Sequence, residues 1–420
     1  MPSAALLPSP ARRLLVEGQH LLHEDRTPAF LRGFNLLFML DSIFEEPRED
    51  TDELMLQLLP RTNLVRVVMI HWKDKPTDIE GADNKNDCSE TWGQQWAIQE
   101  SCLQQIEKVL RWTASQNLWA VLTVRASLAA GEPVAGRDLH TVFDDHELRS
   151  RFLQMWTTVA KRCRGLDMIA GYEIMSEPRV QNTAPEVVRD FYRAGCAAAH
   201  SGDPRTPCIV GAAPFYNVRG LEGALMADVP NAIYAFNFFI PRKYVNGDAV
   251  LKYKYPGPMR CCDAHEKEHA RCCPGKEDQD MAQLPCCAAQ VQVDKRLLEQ
   301  ELAVALDFRE RHQVPVFMDQ WAISRTSGRD RLLYVKDVLA LLQAHRVHWA
   351  YWQWRQRDYS QMAVVTMNED WDDPWFDEAL VDVFRTVLGP DAHGLASTDR
   401  FYTDRAALAT TPVYDVASTG

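Results

Sequence analysis

No apolar run in this 420-residue chain approaches the ~20 residues a helix needs to cross a bilayer, so no membrane span is expected. A surplus of positive charge is missing too. Lysine and arginine number 46 against 58 aspartates and glutamates, leaving a net charge of -12. Nothing in such a balance would offset repulsion from a phosphate backbone, which excludes nucleic acid as a partner. No glycine-rich phosphate loop follows any strand-like run. That argues against an open, dinucleotide-binding sheet. There is no internal repeat and no sign of a second folding unit. The opening stretch "MPSAALLPSPARRLLVEG" has prolines at 2, 8 and 10 and a short apolar run with its charges after it. No secretory signal is read there, and the expectation is a cytoplasmic protein, or a secreted one if a leader has been trimmed.

What is present is ample core material. Hydrophobic residues make up 46% and charged residues 25%, the balance of a globular protein. Eight strand-like runs stand out: 32–38, 63–70, 118–126, 168–178, 208–213, 232–241, 315–322 and 347–355. They are near-continuously apolar, as strands buried on both faces are. Helical spacing of apolar residues marks 49–59, 92–115, 145–163, 185–200, 291–312, 329–345 and 377–388, with a short piece at 221–227. Asp145 and Asp330 suit first helical turns. Eight such units predict a closed (β/α)8 barrel over 14–390, followed by an irregular tail over 391–420. In that fold chemistry sits where strands end.

The polar residues at those ends therefore carry the functional reading. The fourth strand ends in Ser176-Glu177-Pro178. Alternation along a strand puts Glu173, Met175 and Glu177 on one face. Arg66 lies inside the apolar run "LVRVVM" and needs a carboxylate partner, Glu177 or a neighbour. The seventh run, "VPVFMDQWAIS", breaks at Asp319-Gln320. By alternation Asp319 points outward if Gln320 points in, unless a bulge intervenes. In "WAYWQWR", Trp352 and Trp354 share one face and Trp349 and Tyr351 the other. A tryptophan at a barrel mouth gives a sugar ring a flat platform.

Taken together, "LRGFNL", "NLVRVVM", "IAGYEIMSEP", "VPVFMDQW" and "HWAYWQW" resemble glycoside hydrolase family 5, the cellulase and mannanase barrels. The resemblance implies that Glu177 is the acid/base, Arg66 the arginine that holds the nucleophile, and Trp352 the stacking tryptophan. It also marks departures. Gln320 stands at the nucleophile position. Ser176 replaces an asparagine that contacts the sugar 2-hydroxyl. Asn237 and Phe239 fall where the family has His and Tyr, and Arg125 where the third strand often ends in His. Asp319 and Ala322 replace two glycines beside the nucleophile. The implied binding set is Arg66, Ser176, Asn237, Phe239, Trp352, Trp321 and Arg125.

A retaining glycosidase works with two carboxyl groups about 5–5.5 Å apart, one of them ionised and nucleophilic. An amide at Gln320 carries no charge. Two readings follow: a carbohydrate-binding pseudo-glycosidase, or a hydrolase that pairs Glu177 with Asp319, a substrate N-acetyl group or an inverting water.

Of the 11 cysteines, Cys88, Cys102, Cys163, Cys196 and Cys208 are scattered and read as buried thiols. The rest form three doublets in an insertion at about 255–290, between the sixth and seventh strands: Cys261-Cys262, Cys272-Cys273 and Cys286-Cys287, with His265 and His269 nearby. A structural zinc held by four of these, disulfide staples, and reduced thiols are the three readings. No other cofactor is expected.

Overall fold

A computed structural model describes residues 12–390 apart from 38, 41–42, 45–46, 73–97, 99, 127–140, 144–145, 179–183, 248–252, 266–271, 273–284, 358–360 and 368–373. Eight parallel strands close into a barrel: β1 (Arg32–Leu37), β2 (Leu64–Trp72), β3 (Trp119–Ala126), β4 (Ile169–Ser176), β5 (Cys208–Gly211), β6 (Ala232–Asn237), β7 (Val316–Trp321) and β8 (His348–Tyr351). Each pairs with its neighbours in sequence, and β8 returns to β1 through Trp349–Arg32 and Tyr351–Phe34. All eight strand-like runs of the sequence are here. Gly33 shows how tightly β1 and β2 approach: a Cβ there would lie 1.7 Å from the Leu64 carbonyl oxygen.

Among the described residues, six helices of eleven or more residues clothe the barrel. They are α1 (Glu100–Ser115), α2 (His146–Cys163), α3 (Pro185–Gly202), α4 (Lys295–His312), α5 (Arg331–Ala344) and α6 (Glu378–Leu388). Pro185 occupies the first turn of α3, where its missing N–H is not needed. Asp294 and Asp377 cap α4 and α6, accepting from the Leu297 and Leu380 amides. Helix α4 begins four residues later than the periodicity predicts. Gln290–Val293 instead forms a strand that pairs antiparallel with Gly257–Arg260. Alternating Gln and Val suits both periods over so short a run. Asp145 and the tail 391–420 lie outside the described residues.

Two buried ion pairs fasten the ends of the barrel. Arg13, 1% exposed, closes the N-terminal end. It donates to Asp203, Thr206 and the Leu166 carbonyl. Near the opposite end Arg355 pairs with Asp52 at 2.7 Å, both fully buried. Among the described residues no helix is long and apolar enough to cross a membrane.

Candidate functional site

Arg66 is the centre of a polar cluster inside the barrel. Its Nε and Nη2 donate to the two Glu173 oxygens at 2.6 and 2.7 Å, Nη1 to Asn35 Oδ1 at 2.7 Å and Nη2 to Ser176 Oγ at 2.6 Å. Asp319 Oδ2 lies 3.1 Å from Nη2. Arg66 thus pairs with Glu173 and Asp319 rather than Glu177. Burial alone would lower the guanidinium pKa, but the Glu173 and Asp319 charges outweigh it and hold it above its ordinary value.

Two irregularities explain the arrangement. Along β3 and β4 the register moves from Thr123–Glu173 to Arg125–Ser176. Glu173 and Ser176, three residues apart, can therefore both reach Arg66, and simple alternation through Glu173, Met175 and Glu177 fails. Along β7 the pairing passes from Met318 to Gln320 against β6, and from Met318 to Trp321 against β8, leaving Asp319 unpaired. The bulge turns both Asp319 and Gln320 inward. Asp319 does not point outward as alternation predicts.

Asp319 is completely buried, and neither oxygen has a well-aligned hydrogen bond. Burial pushes its carboxyl well above the ordinary 3.8. Arg66 opposes that shift, and the nearby Glu173 and Glu177 charges add to it. Glu173 takes the bidentate contact with the guanidinium, so Asp319 is the carboxyl of the cluster on which burial weighs most.

Above this cluster opens a cleft of about 550 Å³ at the C-terminal ends of the strands. Glu177, Asn237, Gln320, Phe239 and Trp352 line it. Gln320 is only 2% exposed, and its Nε2 donates to Ser176 Oγ at 3.2 Å. Glu177 sits at φ 52°, a left-handed backbone that a glutamate adopts only when its surroundings enforce it. The enforcement is visible. Tyr192 and Tyr216 hydroxyls both donate to the Met175 carbonyl, at 2.9 and 2.6 Å, and the Phe215 amide donates to the Pro178 carbonyl at 3.0 Å. Asn237 Nδ2 donates to Glu177 Oε1 and, at 3.1 Å, to the Phe215 carbonyl.

The other expected binding residues fall elsewhere. Arg66 and Ser176 lie beneath the cleft without lining it. Trp321, after the bulge, is fully buried and packs edge-on against Trp349 and Tyr351 and beside Phe384 of α6. Trp354 does not share Trp352's face. It is fully buried against Phe34, its Nε1 donating to the Thr51 carbonyl. Arg125 lies at the end of β3, its backbone in register with Ser176.

The cleft also has residues that strand motifs do not reveal. Arg219 and Glu301 form an ion pair at 2.5 Å in its wall, and His265 of the insertion joins them. Disulfides tie that insertion, Cys261 to Cys272 and Cys262 to Cys287. Cys286 and Cys102 are also disulfide-bonded, and Cys196 pairs with Cys208. These cysteines are bonded in disulfides rather than free thiols, the second of the three readings. Among the described residues Cys163 is the free cysteine, and no cluster is placed to hold a metal. Cys88, Cys273 and His269 lie outside the described residues.

Comparison with known proteins agrees with this geometry. The description Cellulase (glycosyl hydrolase family 5) matches residues 42–358. Endoglucanase C of Acetivibrio thermocellus and endoglucanase C307 of Clostridium sp. (strain F1) are each 21% identical over 272 residues, which is 62% of this chain and 75% of theirs. The structure of endoglucanase Cel5A from Thermotoga maritima superposes with a TM-score of 0.59 at 15% identity, covering 84% of this chain and 96% of the other. Cellulose synthase subunit Z of Clostridioides difficile gives 0.58 at 14%, covering 85% and 99%. A barrel with its cleft at the strand ends, matched over three-quarters of its length by that description, belongs to glycosyl hydrolase family 5.

Proposed function

We propose that this chain is a carbohydrate-binding member of the family in which hydrolysis has been lost, and that its ligand is a β-linked glycan. The observation that carries the reading is Gln320. It lines the cleft, its amide donates to Ser176 Oγ, and the family resemblance assigns it the position where a retaining mechanism needs an ionised carboxylate. Its neighbour is no substitute. Asp319 is buried against Arg66, its carboxyl pushed above its ordinary value by burial, and does not line the cleft. Glu301, the other carboxylate among the described lining residues, is engaged by Arg219. Binding features persist: Trp352 and Phe239 offer apolar faces, and Asn237 and Glu177 offer polar groups between them. The endoglucanase relatives support the choice of glycan class.

The test has two arms. Nitrophenol release from a panel of aryl β-glycosides, N-acetylglucosaminides included, is expected to be absent for the natural protein. Calorimetric titration with cello- and manno-oligosaccharides is expected to show binding that Trp352→Ala weakens by about tenfold or more. Gln320→Glu supplies the missing carboxylate and is expected to turn over a substrate the natural protein leaves intact. Turnover by the natural protein that Glu177→Gln abolishes would sink the reading.

A further inference from the structure

The family resemblance rests on strand ends, yet one wall of the cleft is built from segments outside them. The insertion leaves β6, runs through Gly257–Arg260 into a short helix, Cys261–Ala264, and returns through Gln290–Val293 directly into α4. The described ends of the insertion are tied together. The Cys261 amide donates to the Ala289 carbonyl at 2.7 Å, and the Cys261–Cys272 and Cys262–Cys287 disulfides tie the helix covalently. The next residue, His265, is held by its own amide on the Cys261 carbonyl at 2.9 Å. Its Nδ1 lies 3.8 Å from Glu301 Oε1, and Glu301 Oε2 accepts from Arg219 Nη2 at 2.5 Å. Glu301 is 3% exposed, so its carboxylate is fixed between a guanidinium and an imidazole at the cleft surface.

We propose that His265, Glu301 and Arg219 form a second sugar subsite, taking the vicinal hydroxyls of the next β-linked pyranose along a chain. This inference rests on the glycan-binding reading of the cleft. The chemistry is specific. The three side chains offer donors on either side of one fixed acceptor, the pattern that a pair of adjacent hydroxyls satisfies. Val218, Ile240, Pro241 and Ala264 supply the apolar surface a ring face needs. Position agrees with a second subsite rather than the first. Arg219 follows β5, and His265 and Glu301 lie between β6 and β7, whereas Trp352 follows β8. Because the disulfides hold His265 in place without ligand, the subsite loses little ordering entropy on binding.

The experiment is calorimetric titration of the intact protein with glucose, cellobiose and cellotriose, and with the matching mannose series, using His265→Ala and Trp352→Ala. Each variant is first checked for an unchanged melting temperature. In the natural protein the oligosaccharide is expected to bind at least about tenfold tighter than the monosaccharide, the worth of one or two charge-assisted hydrogen bonds. His265→Ala is expected to collapse that ratio to about twofold or less. Trp352→Ala should weaken every length together and leave the ratio standing. A His265→Ala protein that keeps the full ratio overturns the subsite while leaving the cleft reading intact. A natural protein that binds no glycan of any length overturns both.

Discussion

Asp319 gives the barrel interior a pH dependence of its own. A carboxyl buried beside an arginine would ordinarily be read as an ion-pair partner, but Glu173 already holds the guanidinium with two bonds. Its raised folded-state value has a definite consequence. Above the ordinary value of 3.8 the unfolded chain releases this proton while the folded chain keeps it. The contribution of Asp319 is therefore full below that pH and is lost as pH rises toward the folded value. Asparagine copies the neutral acid's shape and cannot ionise. Asp319→Asn is thus expected to match the natural protein near pH 4 and to gain on it with rising pH, by up to about 1.4 kcal/mol per pH unit within that window. Denaturant melts at several pH values read this directly. A variant less stable at every pH would mean that Asp319 is ionised and that Arg66 needs it. Arg66 and Gln320 were legible in the sequence as polar breaks in apolar runs. The partner of Arg66 was not, because bulges at the ends of β4 and β7 shift the facing of side chains and leave no mark in composition.

The elements were legible because their periods are strong. Eight near-continuous apolar strands separated by amphipathic helices leave few alternatives to a closed parallel barrel. Cysteine pairing was not legible, since spacing alone cannot say which thiols meet. Cys196 on α3 and Cys208 on β5 read as two isolated buried residues. Their Cα atoms lie 5.5 Å apart and a disulfide joins them. Twelve residues separate the pair, and closing so short a loop in the unfolded chain is worth about 3 kcal/mol. The double variant Cys196→Ala/Cys208→Ala is expected to lose about 2–4 kcal/mol of stability in urea, cavity cost included. The natural protein under strong reductant, which also opens the disulfides of the insertion, should lose at least that amount. Equal midpoints for natural and variant protein without reductant would mean the bond contributes nothing. The Arg355–Asp52 pair argues the same way at the other end of the barrel. It joins the segment after β8 to the helical stretch Glu49–Leu58. Arg355→Ala would leave a fully buried aspartate without its guanidinium partner, held by the Arg48 amide and the Thr51 hydroxyl, and the expected loss is about 3–5 kcal/mol.

At the scale of the molecule these buried groups bound the pH range in which the fold is most stable. Asp319 erodes stability as pH rises. His348 on β8 erodes it as pH falls. Its Nδ1 accepts the Leu31 amide at 3.1 Å, which fixes the neutral ring, and the residue is 6% exposed. Burial, with Arg346, Arg309 and His20 adding repulsion, pushes its value from 6.5 down to about 3. Between those two pH values the unfolded chain binds a proton that the folded chain refuses. Stability due to His348 is present above 6.5 and is lost as pH descends toward 3. A chain carrying a net charge of -12 also gains protons on its surface carboxylates over the lower part of that range, so the two causes must be separated. His348→Asn does so. Asparagine Oδ1 can accept the same Leu31 amide, while no charge can form. The variant is expected to melt lower at pH 7, where the lost ring packing is all that counts. Its stability should then fall less steeply than the natural protein's between pH 6.5 and 4, by up to about 1.4 kcal/mol per pH unit. Curves that stay parallel over that interval would mean His348 does not drive the acid limb, and that surface carboxylates alone set it.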